Sequence, residues 1–378
     1  MSAWKSVKLG DVATIDRKTV NPQDLPESTF YLGLEHIARG GEIVASSTVG
    51  DAQLTSNKFH FDARHILYGK LRPNLAKVAS PTEHGVCSTD ILPILPGERL
   101  NRRYLLHYLR QPSMVSLASS RASGANLPRL SPTELSSLPM PLPPVEEQRR
   151  ITSILDEADA IRAKRRAQLA HLDELPKALF HEMFSGLELT SNLADHLTFL
   201  TSGSRGWAKY YSVSGQKFLR IQNVKDGRLH LDDLATVSAP DTAEARRTRV
   251  QEGDVLLSIT ADLGRVGVIP PGFGDAYINQ HLALLRAPGL VPEFLSSYLS
   301  SPRGQSEILG KDRGATKAGL NFNDVRSVRI PIPPTSEQEA YAEKVAAIRA
   351  ERDRVAKALE ADEELFAALQ HQAFHGEL

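Results

Sequence analysis

The chain has 378 residues, 41% apolar and 24% charged, the proportions of a soluble globular protein long enough for two or more domains. Lysine plus arginine equals aspartate plus glutamate at 45 each, so there is no global attraction to nucleic acid or membrane, and any polyanion-binding surface must be local. The start, MSAWKSVKLGDV, lacks the apolar core of a signal peptide and no apolar run approaches bilayer length, so a cytoplasmic location is expected. A single Cys87, read as a small core residue, excludes a disulfide framework and a multi-cysteine metal site.

In chain order, segments of the first half find counterparts in the second, loosely before each long helix and without a gap within it. Lys8-Leu9-Gly10-Asp11-Val12-Ala13 is echoed by Asn192-Leu193-Ala194-Asp195-His196-Leu197. Alternating strands are predicted over Tyr31 to Ile37 and Phe218 to Val224, followed by turns at Gly40-Gly41 and Asp226-Gly227. Buried strands follow at His65 to Tyr68 and Asp254 to Leu257, and then Ile91 to Leu95 corresponds to Leu282 to Leu285. Helical patterns match next: Tyr104, Leu105, Tyr108, Leu109 and Pro112 with Phe294, Leu295, Tyr298, Leu299 and Pro302. From there to Gly186 and Gly376 the offset stays at 190 residues, through Pro144 and Pro334, Gln148 and Gln338, and Phe184 and Phe374. The chain is a tandem duplication.

Each repeat ends in a stretch that opens on a double proline and has no glycine until its end, which predicts a long helix. Ile151, Leu155, Ala158, Arg162, Arg165, Leu169, Leu172, Pro176, Leu179 and Met183 step by four and three. So do Tyr341, Val345, Ile348, Arg352, Val355, Leu359, Asp362, Phe366, Leu369 and Ala373. That is the mean 3.5-residue period of a coiled-coil seam, and two copies in one register point to the helices packing on each other. Arg162 and Arg352, at matched stripe positions, either fix register or snorkel to solvent, the second being expected, and Pro176 is expected to kink or break the first helix near Leu175. The order domain, helix, domain, helix, with a two-fold relating the copies, makes the helices antiparallel. From Glu147 to Phe184 an unbroken helix spans about 57 Å.

Three strings carry a family resemblance: Leu67-Tyr68-Gly69-Lys70-Leu71-Arg72-Pro73-Asn74-Leu75-Ala76-Lys77-Val78, Val86-Cys87-Ser88-Thr89-Asp90, and Met140-Pro141-Leu142-Pro143-Pro144-Val145-Glu146-Glu147-Gln148-Arg149-Arg150-Ile151 with its shorter echo at Ile330 to Gln338. With the whole-chain order of parts, they resemble the specificity subunits of type I DNA restriction and modification systems. The resemblance implies a mixed α+β fold, in which two pseudo-symmetric target recognition domains are joined by two long antiparallel helices forming a coiled coil. The domains would be residues 1–141 and 189–331, and the spacer helices 142–188 and 332–378. It implies a non-catalytic subunit that reads a bipartite target in double-stranded DNA, uses the helix pair as a ruler, and docks two methyltransferase subunits and motor nuclease subunits. No cofactor is expected in this chain; S-adenosylmethionine belongs to the partner methyltransferase. The alternatives are a coiled-coil adaptor that binds proteins and a DNA-reading subunit of a related phage-defence system.

No phosphate loop and no Asn-Pro-Pro-aromatic methyltransferase string is present. His371 and His375 lie one helical turn apart, but the matched pair is His181 and Ser185 and no third ligand is indicated, so no metal is expected. Phosphates take cations and base edges take Arg, Asn and Gln. Loop residues of those types in domain one are Lys70, Arg72, Asn74, Lys77, Arg121, Ser123, Asn126 and Arg129. In domain two they are Ser204, Arg205, Trp207, Lys209, Tyr210, Thr260, Arg265, Lys311, Arg313, Thr316, Lys317 and Asn321, with the loop 202–210 the first choice for base contact.

Overall fold

The structure, a computed structural model, describes residues 4–311 and 319–378. It divides into two compact units, Met1–Arg166 with Lys357–Leu378, and Ala167–Ala356. Each combines one domain with parts of both long helices, and the two are built on one plan.

In the first unit, buried residues of Ile66–Gly69 place that strand inside an antiparallel sheet ordered Ala13–Ile15, Ile91–Pro96, Ile66–Gly69, Val78–Ala79. The second unit repeats it as Phe199–Ser202, Leu282–Arg286, Val255–Ser258, Val266–Val268. A second sheet in each unit contains one parallel pair, Leu32 beside Cys87 and Leu219 beside Ile278. Cys87 is fully buried there. The alternating stretch from Tyr31 is a strand only to Leu32, and a 3-10 turn, Leu34–His36, follows. In that turn His36 Nδ1 accepts from Gly33 N at 3.0 Å, as Asn223 Oδ1 accepts from Arg220 N at 3.0 Å. The opening echo has the same logic: Asp11 and Asp195 each accept the backbone N–H three residues earlier, at 3.1 Å, closing matched turns.

The long helices are Val145–Phe184 and Thr335–His375. A fully buried Gln148 fixes the start of the first: its Nε2 donates to Pro143 O (2.8 Å) and Arg99 O (2.9 Å), and its Oε1 accepts from Asn101 N (2.7 Å). Asn101 in turn caps the helix Arg102–Arg110 through its side chain. Gln338, 1% exposed, repeats the staple, donating to Pro333 O at 2.9 Å and accepting from Val291 N at 3.0 Å. The glutamine shared by the two copies of the motif therefore ties each long helix to its own domain.

Within each unit the helices run antiparallel. In the first, Arg150 reaches the Leu378 carbonyl at 2.7 Å while Arg165 pairs with Asp362. In the second, Arg352 meets Asp173 at 3.3 Å while the rings of Phe184 and Tyr341 are 5.5 Å apart. The stripes do more than face each other. Ile151, Leu155, Ala373 and Phe374 belong to the core of domain one, and Phe180, Phe184, Tyr341 and Val345 to that of domain two. The intervening Ala158, Leu169, Leu172, Leu179, Met183, Leu359, Phe366 and Leu369 are half-buried, as is Ile348, whereas Val355 is buried.

Arg162 does not snorkel. Its side chain is 13% exposed, bonds Glu363 at 2.6 Å and Asp159 at 2.9 Å, and covers the Phe366 ring at 4.0 Å. A charged group held between helices by paired carboxylates sets register, because a slip would leave it desolvated and unpaired. Nor does Pro176 break its helix, which is continuous through it.

Asp156, on the first helix, accepts from the buried His107 Nε2 at 2.7 Å and from Arg103 Nε at 3.1 Å. Burial alone would raise its pKa, but the bonds from His107 and Arg103 outweigh it and hold the carboxyl at about 2, below the ordinary 3.8. Because the folded value is depressed, the stabilisation is complete above about pH 4 and is lost as pH falls through about 2. Asp156→Asn should cost about 1 kcal/mol at pH 7 after solvent screening, and should flatten the acid limb of a denaturation series between pH 4 and 2.

Candidate nucleic-acid interface

The central strand of each main sheet ends in a loop anchored in the same way, the first loop one residue longer and containing the 3-10 turn Pro73–Leu75. After Gly69, Arg72 adopts a left-handed backbone (φ 51°), and after Ser258, Ala261 does (φ 67°). L-residues seldom hold that conformation without a constraint, and here neighbouring backbone bonds supply one. Leu71 bridges Arg129 as Thr260 bridges Gly319. Leu130 N donates to Lys70 O at 2.9 Å, and Leu320 N to Ile259 O at 2.8 Å.

In domain one this geometry brings Lys70, Arg72, Asn74, Ser123, Asn126 and Arg129 to one end of the sheet. Arg72 N donates to Pro128 O at 2.8 Å, and Ser123 and Arg129 exchange backbone bonds of 3.0 and 2.8 Å, closing a turn whose exposed tip holds Asn126. Asp90 lies between the two segments, 3.2 Å from Arg129 Nε and 3.8 Å from Lys70 Nζ. The exposed Arg72 makes no side-chain hydrogen bond or ion pair among the described residues. Two candidates have other work. Lys77 Nζ donates to Leu34 O at 2.8 Å, and Arg121 bonds Ser137 Oγ at 3.0 Å with Glu134 at 4.0 Å, so both brace the domain.

In domain two, Thr260 Oγ1 and His281 Nδ1 are 2.6 Å apart, His281 Nε2 and Gln280 Nε2 are 3.0 Å apart, and Ser204 bridges Asn279. Arg205 and Lys209 are exposed, Lys209 with its ammonium 4.9 Å from the Tyr210 ring centre; Arg265 folds onto Asp262 at 2.6 Å, and Lys311 is half-buried. Trp207 is not available to stack on a base: it is 6% exposed, packed on Phe218 at 5.1 Å and Tyr277 at 5.2 Å, with the half-buried Tyr210 at its edge. Asn321 is a helix cap, accepting from Asn323 N and Asp324 N, as Ser131 caps the matched helix of domain one. Arg313, Thr316 and Lys317 lie outside the described residues.

Asp90, Gln280, His281 and Arg247, whose Nη1 donates to Ser202 O at 3.0 Å, were not among the residues read from loop composition. The alignment of Ile91 with Leu282 already set Asp90 opposite His281, and that was the available signal.

A duplicated mixed domain with a loop face at one sheet end, each copy followed by a long helix antiparallel to its counterpart, defines a two-domain scaffold of tandem repeats. The family model described as the type I restriction modification DNA specificity domain matches residues 1–171 and 211–359, and the chain belongs to that family. It is 30% identical over 210 residues to the type I restriction enzyme EcoDI specificity subunit of Escherichia coli, over 54% of this chain and 46% of that subunit. To the EcoBI specificity subunit of Escherichia coli it is 24% identical over 335 residues, 78% of this chain and 68% of that one. The chain thus spans about half the length of the first of these relatives. Its fold matches the S subunit of a type I restriction-modification system from M. genitalium with a TM-score of 0.59 and 13% identity, over 99% of this chain and 96% of that one. A chain from a structure of type I R-M complex assembly and conformational transition matches with a TM-score of 0.64 and 21% identity, over 99% and 98%. No helix among the described residues is long and apolar enough to cross a membrane.

Proposed function

We propose that this chain is a non-catalytic specificity subunit that reads a bipartite DNA sequence, residues 1–141 gripping one half-site and residues 189–331 the other. Residues 142–188 and 332–378 serve as the spacer and as the seat of two methyltransferase subunits, with motor nuclease subunits completing the restricting enzyme. One observation carries this reading. The loop faces of the two domains share their backbone anchors and a left-handed residue, yet differ in length and in their side chains: Arg72 against Ala261, Asp90 against His281, Arg129 against Gly319. A constant scaffold with divergent tips is what two different half-sites require, because hydrogen-bonding groups at base edges discriminate sequence. The partner, holding S-adenosylmethionine, then extrudes and methylates the target base.

Fluorescence anisotropy of a labelled duplex across a salt series, with the methyltransferase present, tests it. A steep negative slope of log affinity against log salt is expected, and Arg72→Ala should reduce that slope by about one. A flat null with the partner present would support a protein-binding adaptor instead. The chain alone should transfer no methyl groups.

A further inference from the structure

Residues 167–356 enclose a cavity of about 570 Å³ between the end of the first long helix, the start of the second, and the helix Pro292–Ser300. Pro176, Phe180, Phe184, Tyr298 and Tyr341 line it, with Arg352 at its edge. The duplication shows what such a place is shaped to hold. At the offset of 190, Pro176 corresponds to Phe366, Ser297 to His107 and Ser300 to Arg110. In the first unit Phe366 sits beneath the Arg162 guanidinium at 4.0 Å and 6.3 Å from the His107 ring, while Arg110 is tied to Val78 O at 2.9 Å and Gly41 O at 3.0 Å.

The second unit replaces phenyl, imidazole and guanidinium by a pyrrolidine and two hydroxymethyl groups. Ser300 Oγ is left buried with no hydrogen-bond partner. Tyr341, in place of Ile151, takes up part of the room, donating to Ser297 Oγ at 2.8 Å, and Phe180 stands where Gln370 does. The cavity remains in spite of these two added rings. Arg352, the counterpart of Arg162, is retained beside it, 3.3 Å from Asp173.

We infer that this pocket accepts an aromatic side chain, phenylalanine or tyrosine, carried on a segment of a partner polypeptide, with Arg352 covering the ring as Arg162 covers Phe366. The cavity exceeds one side chain, roughly 200 Å³ for an aromatic residue at interior packing density, so neighbouring residues enter with the ring. Arg228 and Arg352 share the single carboxylate of Asp173, at 3.0 and 3.3 Å, which leaves the pair able to take an acidic flank. The inference uses no DNA contact, so it stands or falls apart from the half-site reading above.

Isothermal titration of the full chain with a synthetic peptide copying residues 362–370, the segment that fills the matched place, tests it. The Phe366 peptide should bind at least about tenfold more tightly than its Phe366→Ala version. Pro176→Phe in the protein should weaken binding by a similar factor, with an unchanged or raised melting temperature. Should that variant fail to fold, Ser297→His, which fills the cavity from the other wall, decides. Equal affinity of the two peptides, or undiminished binding by the folded filled variant, overturns the inference. Uptake of N-acetylphenylalanine amide without uptake of the peptide overturns the polypeptide occupant.

Discussion

Gln148→Ala is expected to destabilise the first unit by about 3 kcal/mol or more, while substitutions of exposed loop residues such as Arg72→Ala leave stability nearly unchanged. The side chain is fully buried and bridges three backbone groups, Pro143 O, Arg99 O and Asn101 N. Alanine leaves two carbonyls and one N–H without their partner, each costing about 1 to 3 kcal/mol when water cannot replace it. Asn101 also caps the helix Arg102–Arg110, so the loss spreads to that helix. Gln338 bridges two backbone groups, Pro333 O and Val291 N, and Gln338→Ala should cost about 2 kcal/mol in the second unit. Hydrogen-exchange mass spectrometry separates the units: protection should fall over residues 99–110 in the first variant and over 290–300 in the second. Unchanged exchange in both would show that the staple is dispensable.

The duplication and both long helices were legible because they rest on features that survive without tertiary context: a constant offset, double prolines at matched helix starts, and glycine-free helical runs. The same holds for the central strands, whose continuous apolar character permits little besides burial. Side-chain roles in the loops were not legible, since a lysine bolting a carbonyl and a lysine facing a phosphate have the same composition. Lys77 is a bolt to Leu34 O, Arg121 a brace to Ser137, and Asn321 a cap. Trp207 was a candidate for stacking on a base, but a sheet formed by residues far along the chain, Tyr277 among them, covers it. Arg162 looked like a snorkelling cation because periodicity cannot tell that Glu363, some two hundred residues away, will meet it. Pro176 removes one N–H, which a helix tolerates when packing holds both flanks, and Tyr341 Oη lies 3.3 Å from its carbonyl.

The second large effect concerns spacing. If the helices set the distance between two independently reading domains, inserting two helical turns into each should lengthen the tolerated spacer and leave the bases of each half-site alone. The insertions belong after Arg166 and after Ala356, where the chain passes between its compact units. Seven residues add about 10 Å at 1.5 Å each, room for up to about three base pairs. Seven residues also keep the stripe in phase, so the added turns continue the seam. The measurement is methylation mapping by long-read sequencing in cells that express the chain with its methyltransferase partner, with and without the insertions. A two-part motif whose halves are unchanged and whose spacer is longer is the predicted result. A motif with altered half-site bases, or an uninterrupted motif in either strain, would contradict the account.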